Sequence, residues 1–262
     1  MAAFFESLDF ARIGASMALV LAAGLLGWWQ RAGLTRDLVM ATVRSFFQLI
    51  AIGYALELIF ARESIPWTLF IIAVMLGVAA YTSAQRARGI AGSLGIATAG
   101  IGTGAVLTIG LLVALGVFRF TPQFIIPIAG MVIGNAMTTC SLVMTRLRDD
   151  IRDQRNRIEA ALALGATGRQ AATPIVRRSI RSAMMPVIDT TKTVGLIKLP
   201  GAMTGMILAG ASPLEAVQLQ IIVMYMLVGA TAFTSLVAAY LTAQAFFTKT
   251  HQLVLQPTGE KE

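Results

Sequence analysis

Ionisable side chains inside an otherwise apolar stretch are the first residues of this sequence that could do chemistry. Asp189 and Lys192 lie three residues apart at the start of such a stretch, and Lys198 lies further along it. A charge in apolar surroundings is costly, so it usually faces a cavity or another helix. One interpretation is a structural Asp189–Lys192 ion pair, with Lys198 extending to an interface. The other is a gate or transport-path element formed by these side chains.

Residues that break or narrow a helix lie close to these charges. Pro200 and Gly201 should interrupt the helix that carries Lys198, and a kink there could absorb a rocking motion. Gly201 also lies four residues before Gly205, a spacing that lets two helices pack closely. Asn135 lies in another apolar stretch, beside two glycines with the same spacing. It is a further candidate for the transport path, although core packing alone also explains its neighbours.

Three polar residues in the first quarter of the chain are also candidates for a transport path. Arg44 and Gln48 are four residues apart, so they share one face of a helix and could line a polar seam. Glu57 is either a carboxylate that attracts a metal ion or a charge at an interface. These alternatives stay open at the level of the sequence.

The thirteen methionines and the single cysteine form no metal-binding pattern. Thioether sulfur suits soft ions such as Cu(I), but methionine is also common in apolar cores. One histidine and Cys140 cannot build a transition-metal cage, and a single cysteine excludes an intrachain disulfide. The sequence therefore favours a transient, oxygen-rich path or a complexed metal over a high-affinity site.

The composition indicates which elements must position these residues. The chain has 262 residues, of which 56% are hydrophobic and only 13% are charged. Soluble domains carry about 25% charged residues, so the excess apolar surface here must face lipid. The net charge of +8 comes from basic residues in the gaps between apolar runs. That placement is typical of a multi-pass membrane protein and argues against nucleic acid as a partner.

The apolar runs predict an all-α integral membrane protein with about seven transmembrane helices in a single domain, residues 1–262. A helix needs about 20 apolar residues to cross the bilayer. Arginines concentrate in the first, third and fifth connections, so we expect the amino terminus outside and the carboxyl terminus in the cytoplasm of a bacterial inner membrane. The predicted spans are residues 12–29, 38–60, 67–84, 93–118, 124–144, 184–211 and 216–247.

One hydrophilic segment, residues 145–183, separates the fifth and sixth predicted spans and is here named the elbow. It contains nine arginines against four acidic residues. Its first part is predicted to be a helix that ends at Gly165, with an Asp153–Arg157 pair on its surface. Thr167 should cap a short helix over residues 168–172, and Thr173–Pro174 should start a third helix. By composition alone, the elbow could also be an ordinary basic loop held near anionic lipid.

The order of residues in the elbow resembles the EAA-x3-G-x9-I motif of ABC-transporter permeases. The match is Glu159-Ala160-Ala161, then Gly165 and Ile175, whereas the usual I-x-L-P ending is replaced by Ile175-Val176-Arg177-Arg178. The resemblance implies a coupling helix that docks on a cytoplasmic ATP-binding cassette ATPase. ATP and Mg²⁺ would then be bound by that partner and no cofactor by this chain. The implied ATPase-coupling residues are Glu159, Ala160, Ala161, Gly165, Ala166, Thr167, Gly168 and Arg169.

Two longer blocks narrow the resemblance. They are IPIAGMVIGNAM at residues 126–137 and DTTKTVGLIKLPGAMTG at residues 189–205. With them, nearly the whole chain resembles the iron-export ABC permease family of the FetB type, which includes plant permeases linked to aluminium tolerance. The resemblance implies a homodimeric, non-enzymatic permease for metal homeostasis that exports iron or a related metal ion.

Three other functions remain open at this stage. An importer permease of the methionine-importer kind would share the elbow but use an external binding protein. An ATP-independent channel or carrier would need the basic segment only for lipid contact. A membrane enzyme is least supported, because the sequence presents no nucleophile–base pair or cluster of metal ligands.

Overall fold

The computed structural model describes residues 10–29, 35–60, 64–118, 120–248 and 250–255. Regular secondary structure in these ranges is helical. The chain divides into two compact units, Met1–Arg62 and Glu63–Glu262. The first contains α1 and α2, and the second contains α3 to α9. The helices are α1 Phe10–Trp29, α2 Thr35–Phe60, α3 Ile65–Arg86, α4 Ser93–Ala114, α5 Pro122–Asp153, α6 Arg155–Ala163, α7 Gly168–Thr193, α8 Gly201–Leu208 and α9 Pro213–Ala245.

Five of the described helices are long and apolar enough to cross a membrane. They are α2, through its segment Leu38–Ala55, and α3, α4, α5 and α9. Helix α1 contains a shorter apolar segment, Met17–Leu26. Because each helix satisfies its own backbone hydrogen bonds, such helices are stable in hydrocarbon. The prediction of an all-helical, multi-pass membrane protein is therefore confirmed.

Helix α5 is longer than a bilayer requires. Its 32 residues extend over about 48 Å, against about 30 Å for the hydrocarbon core. The apolar part coincides with the predicted fifth span, and the last two turns carry the first charges of the elbow. The helix ends at Asp153 because Gln154 leaves the helical conformation. The predicted first helix of the elbow is thus divided between the end of α5 and α6.

The predicted sixth span, residues 184–211, is not one helix. Helix α7 ends at Thr193, residues 194–200 are non-helical, and α8 begins at Gly201. Gly195 has φ of 81°, which favours glycine, and its N–H donates to the carbonyl of Lys198 at 3.0 Å. Pro200 then precedes the new helix as its N-cap. The expected interruption at Pro200–Gly201 is therefore real, but it begins six residues before Pro200, at Val194.

Helices α4 and α9 approach each other closely in the second unit. A Cβ atom built on Gly104 would lie 2.7 Å from the carbonyl oxygen of Ala230 and would overlap the hydroxyl of Thr234. One turn earlier, a Cβ on Gly100 would lie 3.2 Å from the Cβ of Ala238. Two glycines four residues apart thus let the backbones of α4 and α9 approach, as in small-x3-small membrane interfaces. The sequence interpretation did not identify this pair.

Helices α3 and α5 are joined by polar contacts in the buried interior. The hydroxyl of Ser83 donates to the carbonyl of Met137 at 3.1 Å and lies 3.0 Å from the hydroxyl of Ser141. A Cβ on Gly130 would touch the terminal methyl of Met75 at 3.3 Å, whereas Gly134 has open space. Among the described residues, Gly130 therefore packs against another helix, whereas Gly134 does not.

The α4–α9 contact predicts that Gly104→Ala lowers stability by about 1–3 kcal/mol, because the added methyl group has no room. The matched control is Gly110→Ala in the same helix, where a Cβ meets nothing within 4 Å. We expect that control to keep or slightly raise stability, since alanine favours helix. Melting temperatures of the detergent-solubilised variants measure the difference, and equal melting temperatures would refute the packing argument.

Candidate functional site

The elbow is built around a tight turn between α6 and α7. Gly165 has φ of 90°. Its N–H donates to the carbonyl of Leu162 at 3.0 Å, and the N–H of Ala166 donates to the carbonyl of Ala161 at 3.1 Å. This pair of bonds is a Schellman motif, which requires a left-handed residue at its centre. The predicted termination at Gly165 is confirmed.

Thr167 caps α7 as predicted, but the helix that follows is continuous. The Thr167 hydroxyl accepts from the N–H of Gln170 at 3.3 Å, and the Gln170 side chain accepts from the N–H of Thr167 at 2.9 Å. This capping box starts a single helix that runs to Thr193. The predicted short helix over residues 168–172 and the separate third helix are therefore wrong. Pro174 lies inside α7, where its missing N–H removes only the bond to the carbonyl of Gln170.

Thr173, the expected cap of a third helix, has a different role. Its hydroxyl donates back to the carbonyl of Arg169 at 2.7 Å, a bond within the same helix. The predicted surface pair of Asp153 and Arg157 is also absent in the described residues. The ion pair of α6 joins Arg155 Nε to Glu159 Oε1 at 2.7 Å, and both side chains are about half exposed. An exposed pair of this kind adds little stability.

The elbow presents an apolar tip. Ile158 is only 2% exposed and anchors α6, whereas Leu164 at the turn is 90% exposed. The predicted ATPase-coupling residues divide between the outer face and the interior. Glu159, Ala160, Gly165 and Arg169 are exposed, Ala161, Ala166 and Thr167 are half-buried, and Gly168 is buried. The sequence interpretation missed Leu164, although a leucine before the turn glycine in a basic segment was a visible signal.

Two openings lie beside the elbow. One cavity of about 490 Å³ lies between the start of α7, the end of α9 and the carboxyl-terminal residues. The guanidinium of Arg169 stands 5.8 Å from the ring centroid of Tyr240 at this place, a cation–π contact. A second cleft of about 330 Å³ has Glu159 and Leu162 on one wall and His251 and Gln252 on the other. The carboxyl-terminal residues therefore belong to the same region as the elbow.

Asp189, Lys192 and Lys198, three charged candidates of the predicted transport path, are exposed. Within the described part of the chain, no ion pair joins Asp189 to Lys192, so the interpretation as a structural pair is not supported. Lys198 lies in the non-helical segment of residues 194–200, where Leu196 is 87% and Ile197 84% exposed. Helix α8, which follows Pro200 and starts at Gly201, has no buried residue.

The remaining candidates are placed in two units. The side-chain amide of Asn135 donates to the carbonyl of Met131 at 2.8 Å and is exposed on α5. Arg44 and Gln48 are exposed on α2 in the first unit. Glu57 belongs to α2, but its side chain lies outside the described residues. The role of all of these side chains in transport stays a prediction.

Metal-ligating side chains do not converge in the described ranges. No group of three or more histidine, cysteine, aspartate or glutamate side chains there could hold a metal ion. Cys140 is buried, and its sulfur lies 3.6 Å from the sulfur of Met144, one turn further along the same helix. Its surroundings are those of a packed core residue.

The capping box predicts that Thr167→Ala loosens the start of α7 by about 1 kcal/mol. Thr173→Ala is the matched control, because its hydroxyl bonds to a carbonyl inside the helix rather than to a free N–H group. Hydrogen–deuterium exchange should become faster over residues 168–172 in the first variant only. Equal exchange in both variants would contradict the assignment of Thr167 as the cap.

Residues 10–247 match the family described as "Uncharacterised protein family (UPF0014)". The chain is 52% identical over 239 residues to "UPF0014 membrane protein STAR2" of Oryza sativa subsp. japonica, covering 91% of this chain and 84% of that protein. It is 49% identical to "Protein ALUMINUM SENSITIVE 3" of Arabidopsis thaliana, covering 91% and 88%. It is 35% identical to "Probable iron export permease protein FetB" of Escherichia coli (strain K12), covering 94% and 95%. No solved structure matches the chain. The chain thus belongs to the UPF0014 family of membrane proteins, as its resemblance to FetB-type permeases indicated.

Proposed function

We propose that this chain is the permease subunit of an ABC transporter. In this proposal it exports iron or a related metal ion, and a separate cytoplasmic ATPase hydrolyses the ATP. ATP and Mg²⁺ are bound by that partner, so the chain itself is a non-enzymatic transport subunit. The name of the Escherichia coli relative supports the cargo class. The observation that carries the proposal is the rigid elbow with its exposed apolar tip.

The elbow has the properties of a docking element. The Schellman turn at Gly165 and the capping box at Thr167 hold α6 and α7 in a fixed relation. Leu164 projects from the turn, and the small side chain of Ala160 leaves the adjoining surface of α6 narrow. A narrow rigid helix with one protruding leucine fits a cleft on a partner, where full burial of the leucine side chain is worth about 1.5–3 kcal/mol. The EAA-x3-G spacing supports an ATP-binding cassette ATPase as that partner.

The membrane arrangement follows from charge placement. Arginines of the elbow and of the first and third connections favour a cytoplasmic location for these segments. The broken pair α7 and α8 together makes one crossing in this arrangement, which gives seven. The amino terminus then lies outside and the carboxyl terminus inside. We place the protein in a bacterial inner membrane, with the elbow at the cytoplasmic face.

The break between α7 and α8 is the part of the transport path that the structure supports best. We place Arg181, the last arginine of the elbow, at the membrane surface. From there to Thr193 helix α7 rises about 18 Å, which puts residues 194–200 within a hydrocarbon core of about 30 Å. Non-helical backbone at that depth is tolerated only against protein or beside a water-filled cavity. Discontinuous helices of this kind form substrate sites in other transporters.

We therefore assign Lys198 and its neighbours to a water-filled path that a second copy of the chain helps to enclose. Gly201 and Gly205 have open space around them, which leaves room for such a copy. The exposed Asp189 and Lys192 lie on the cytoplasmic approach to the break. With this set of side chains, the path conducts a hydrated or complexed ion.

Docking through Leu164 predicts that Leu164→Glu weakens association with the ATPase by about 2 kcal/mol, roughly 30-fold. The chain should still fold, because the side chain is 90% exposed. Asn156→Glu, also on the exposed surface of the elbow, introduces a negative charge near the beginning of α6 and serves as the control. Co-purification of the ATPase and ATP-dependent transport measure the effect. Full transport without a bound ATPase would instead indicate an ATP-independent carrier.

The path assignment predicts that a thiol at position 198 is reached by water. In a Cys140→Ala background, Lys198→Cys should react with a membrane-impermeant maleimide in intact membranes. Val106→Cys, at a position that is also exposed but lies on the apolar surface of α4, should stay unlabelled. The reason is that maleimides react with the thiolate, which hydrocarbon does not support. Equal labelling of the two positions would exclude a water-filled path at the break.

A further inference from the structure

We infer that the carboxyl-terminal hairpin connects the elbow directly to helix α9 and transmits movement of the ATPase to that helix. The hairpin consists of residues 246–248 and 250–255. The connection is made by the ring of Phe247 on the backbone of Gly168. This inference rests on the proposed function, since it concerns how the docked ATPase acts on the permease.

The hairpin is a defined structure rather than a trailing end. The chain leaves α9 at Ala245 and reverses, so that Phe247 pairs with Leu253 in an antiparallel bridge. The N–H of Thr248 donates to the carbonyl of Gln252, and the N–H of Val254 donates to the carbonyl of Phe246, both at 2.9 Å. Phe246 is 2% exposed and belongs to the core. The hairpin is therefore fixed to the end of α9.

Gly168 is the contact point on the elbow. A Cβ atom built there would lie 2.6 Å and 2.7 Å from two ring carbons of Phe247. Real Cβ atoms do not approach so closely, so only glycine allows the ring to rest on the first turn of α7. Gly168 is not among the residues with positive φ, and its backbone suits any residue. The glycine is thus required for space, not for conformation.

Two further contacts hold the same elements together. Arg169, the next residue of α7, lies over the ring of Tyr240 of α9. On the other side, Leu253 of the hairpin and Leu162 of α6 line the same cleft of about 330 Å³, and both pack against the buried core. The hairpin therefore meets both helices that flank the elbow turn.

Helix α9 is well placed to distribute a displacement. It packs against α4, α5, α7 and α8, and thus against both helices of the broken crossing. Without the hairpin, the elbow would act on α9 only through the packing of α7 itself, which includes the contact of Arg169 with Tyr240. The hairpin adds a second route, which begins at the first turn of α7 and ends at the last turn of α9. The ring of Phe247 and the backbone of Gly168 are the surfaces through which a displacement passes along this route.

The experiment is a double-mutant cycle in the full chain, purified with its ATPase. The variants are Gly168→Ala, Phe247→Ala and the double variant, with Phe233→Ala on the exposed side of α9 as the control. Three quantities are measured: the ATPase retained, the ATP hydrolysed, and the ions transported per ATP. A fall in ions transported per ATP, with the ATPase still bound, indicates a loss of transmission. A misfolded chain would lose its bound ATPase as well.

Phe247→Ala should keep the bound ATPase and its rate of ATP hydrolysis. The number of ions transported per ATP should fall about tenfold, a change of the size that the interaction energy of two contacting residues produces. Gly168→Ala alone should have a similar effect, because the added methyl group clashes with the ring of Phe247. In the Phe247→Ala background it should have no further effect, because that ring is absent. Phe233→Ala should behave as the unmodified chain.

Additive losses in the double variant would overturn the inference, because Gly168 would then act on the ATPase itself. An unchanged transport ratio in Phe247→Ala would overturn it too. Absence of ATP-dependent transport in the unmodified complex would overturn the proposed function, and the inference with it. Loss of ATPase binding in Phe247→Ala would also contradict transmission, because the hairpin would then serve docking or folding instead.

Discussion

The close approach of α4 and α9 is the contact on which the second unit depends. In lipid, helices gain little from the hydrophobic effect, because their apolar side chains are solvated as well by acyl chains as by one another. Association then relies on dense van der Waals contact, and Gly100 and Gly104 provide it by removing side chains at the interface. Ala230 and Ala238 on α9 are correspondingly small and fully buried. The geometry leaves α9 in the middle of the unit, in contact with four other helices.

The position of α9 links two regions that would otherwise be separate. At one end it carries the hairpin that meets the elbow, and along its length it packs on both halves of the broken crossing. A rigid, capped elbow can pass on a displacement, whereas the uncapped break at residues 194–200 can absorb one. One rigid segment and one deformable segment together suit the rigid-body movements of alternating access, which the proposed function requires. It also gives a mechanical reason for placing polar residues beside the break rather than within the packed core.

Much of this arrangement could be predicted from the sequence, since lipid imposes long apolar helices with few exceptions. Hydropathy located the helices, and glycine and threonine chemistry located the turn at Gly165 and the cap at Thr167. The continuity of α7 through Pro174 could not be predicted, because a Thr-Pro pair taken alone is typical of a helix N-terminus. The early break at Val194 was also hidden, since local spacing does not reveal that Gly195 adopts a left-handed conformation. The contact between Phe247 and Gly168 joins positions 79 residues apart, and no local sequence pattern predicts such a contact.

We propose that this chain moves a metal ion when an ATPase acts on its elbow. The most direct measurement is the metal content of inside-out membrane vesicles that contain the chain with its ATPase, with iron and several other divalent metals supplied in turn. We expect iron, or a related metal, to accumulate inside the vesicles when ATP is added, and vesicles lacking either protein to show no accumulation. Accumulation without ATP, or none of any metal with both proteins present, would contradict it.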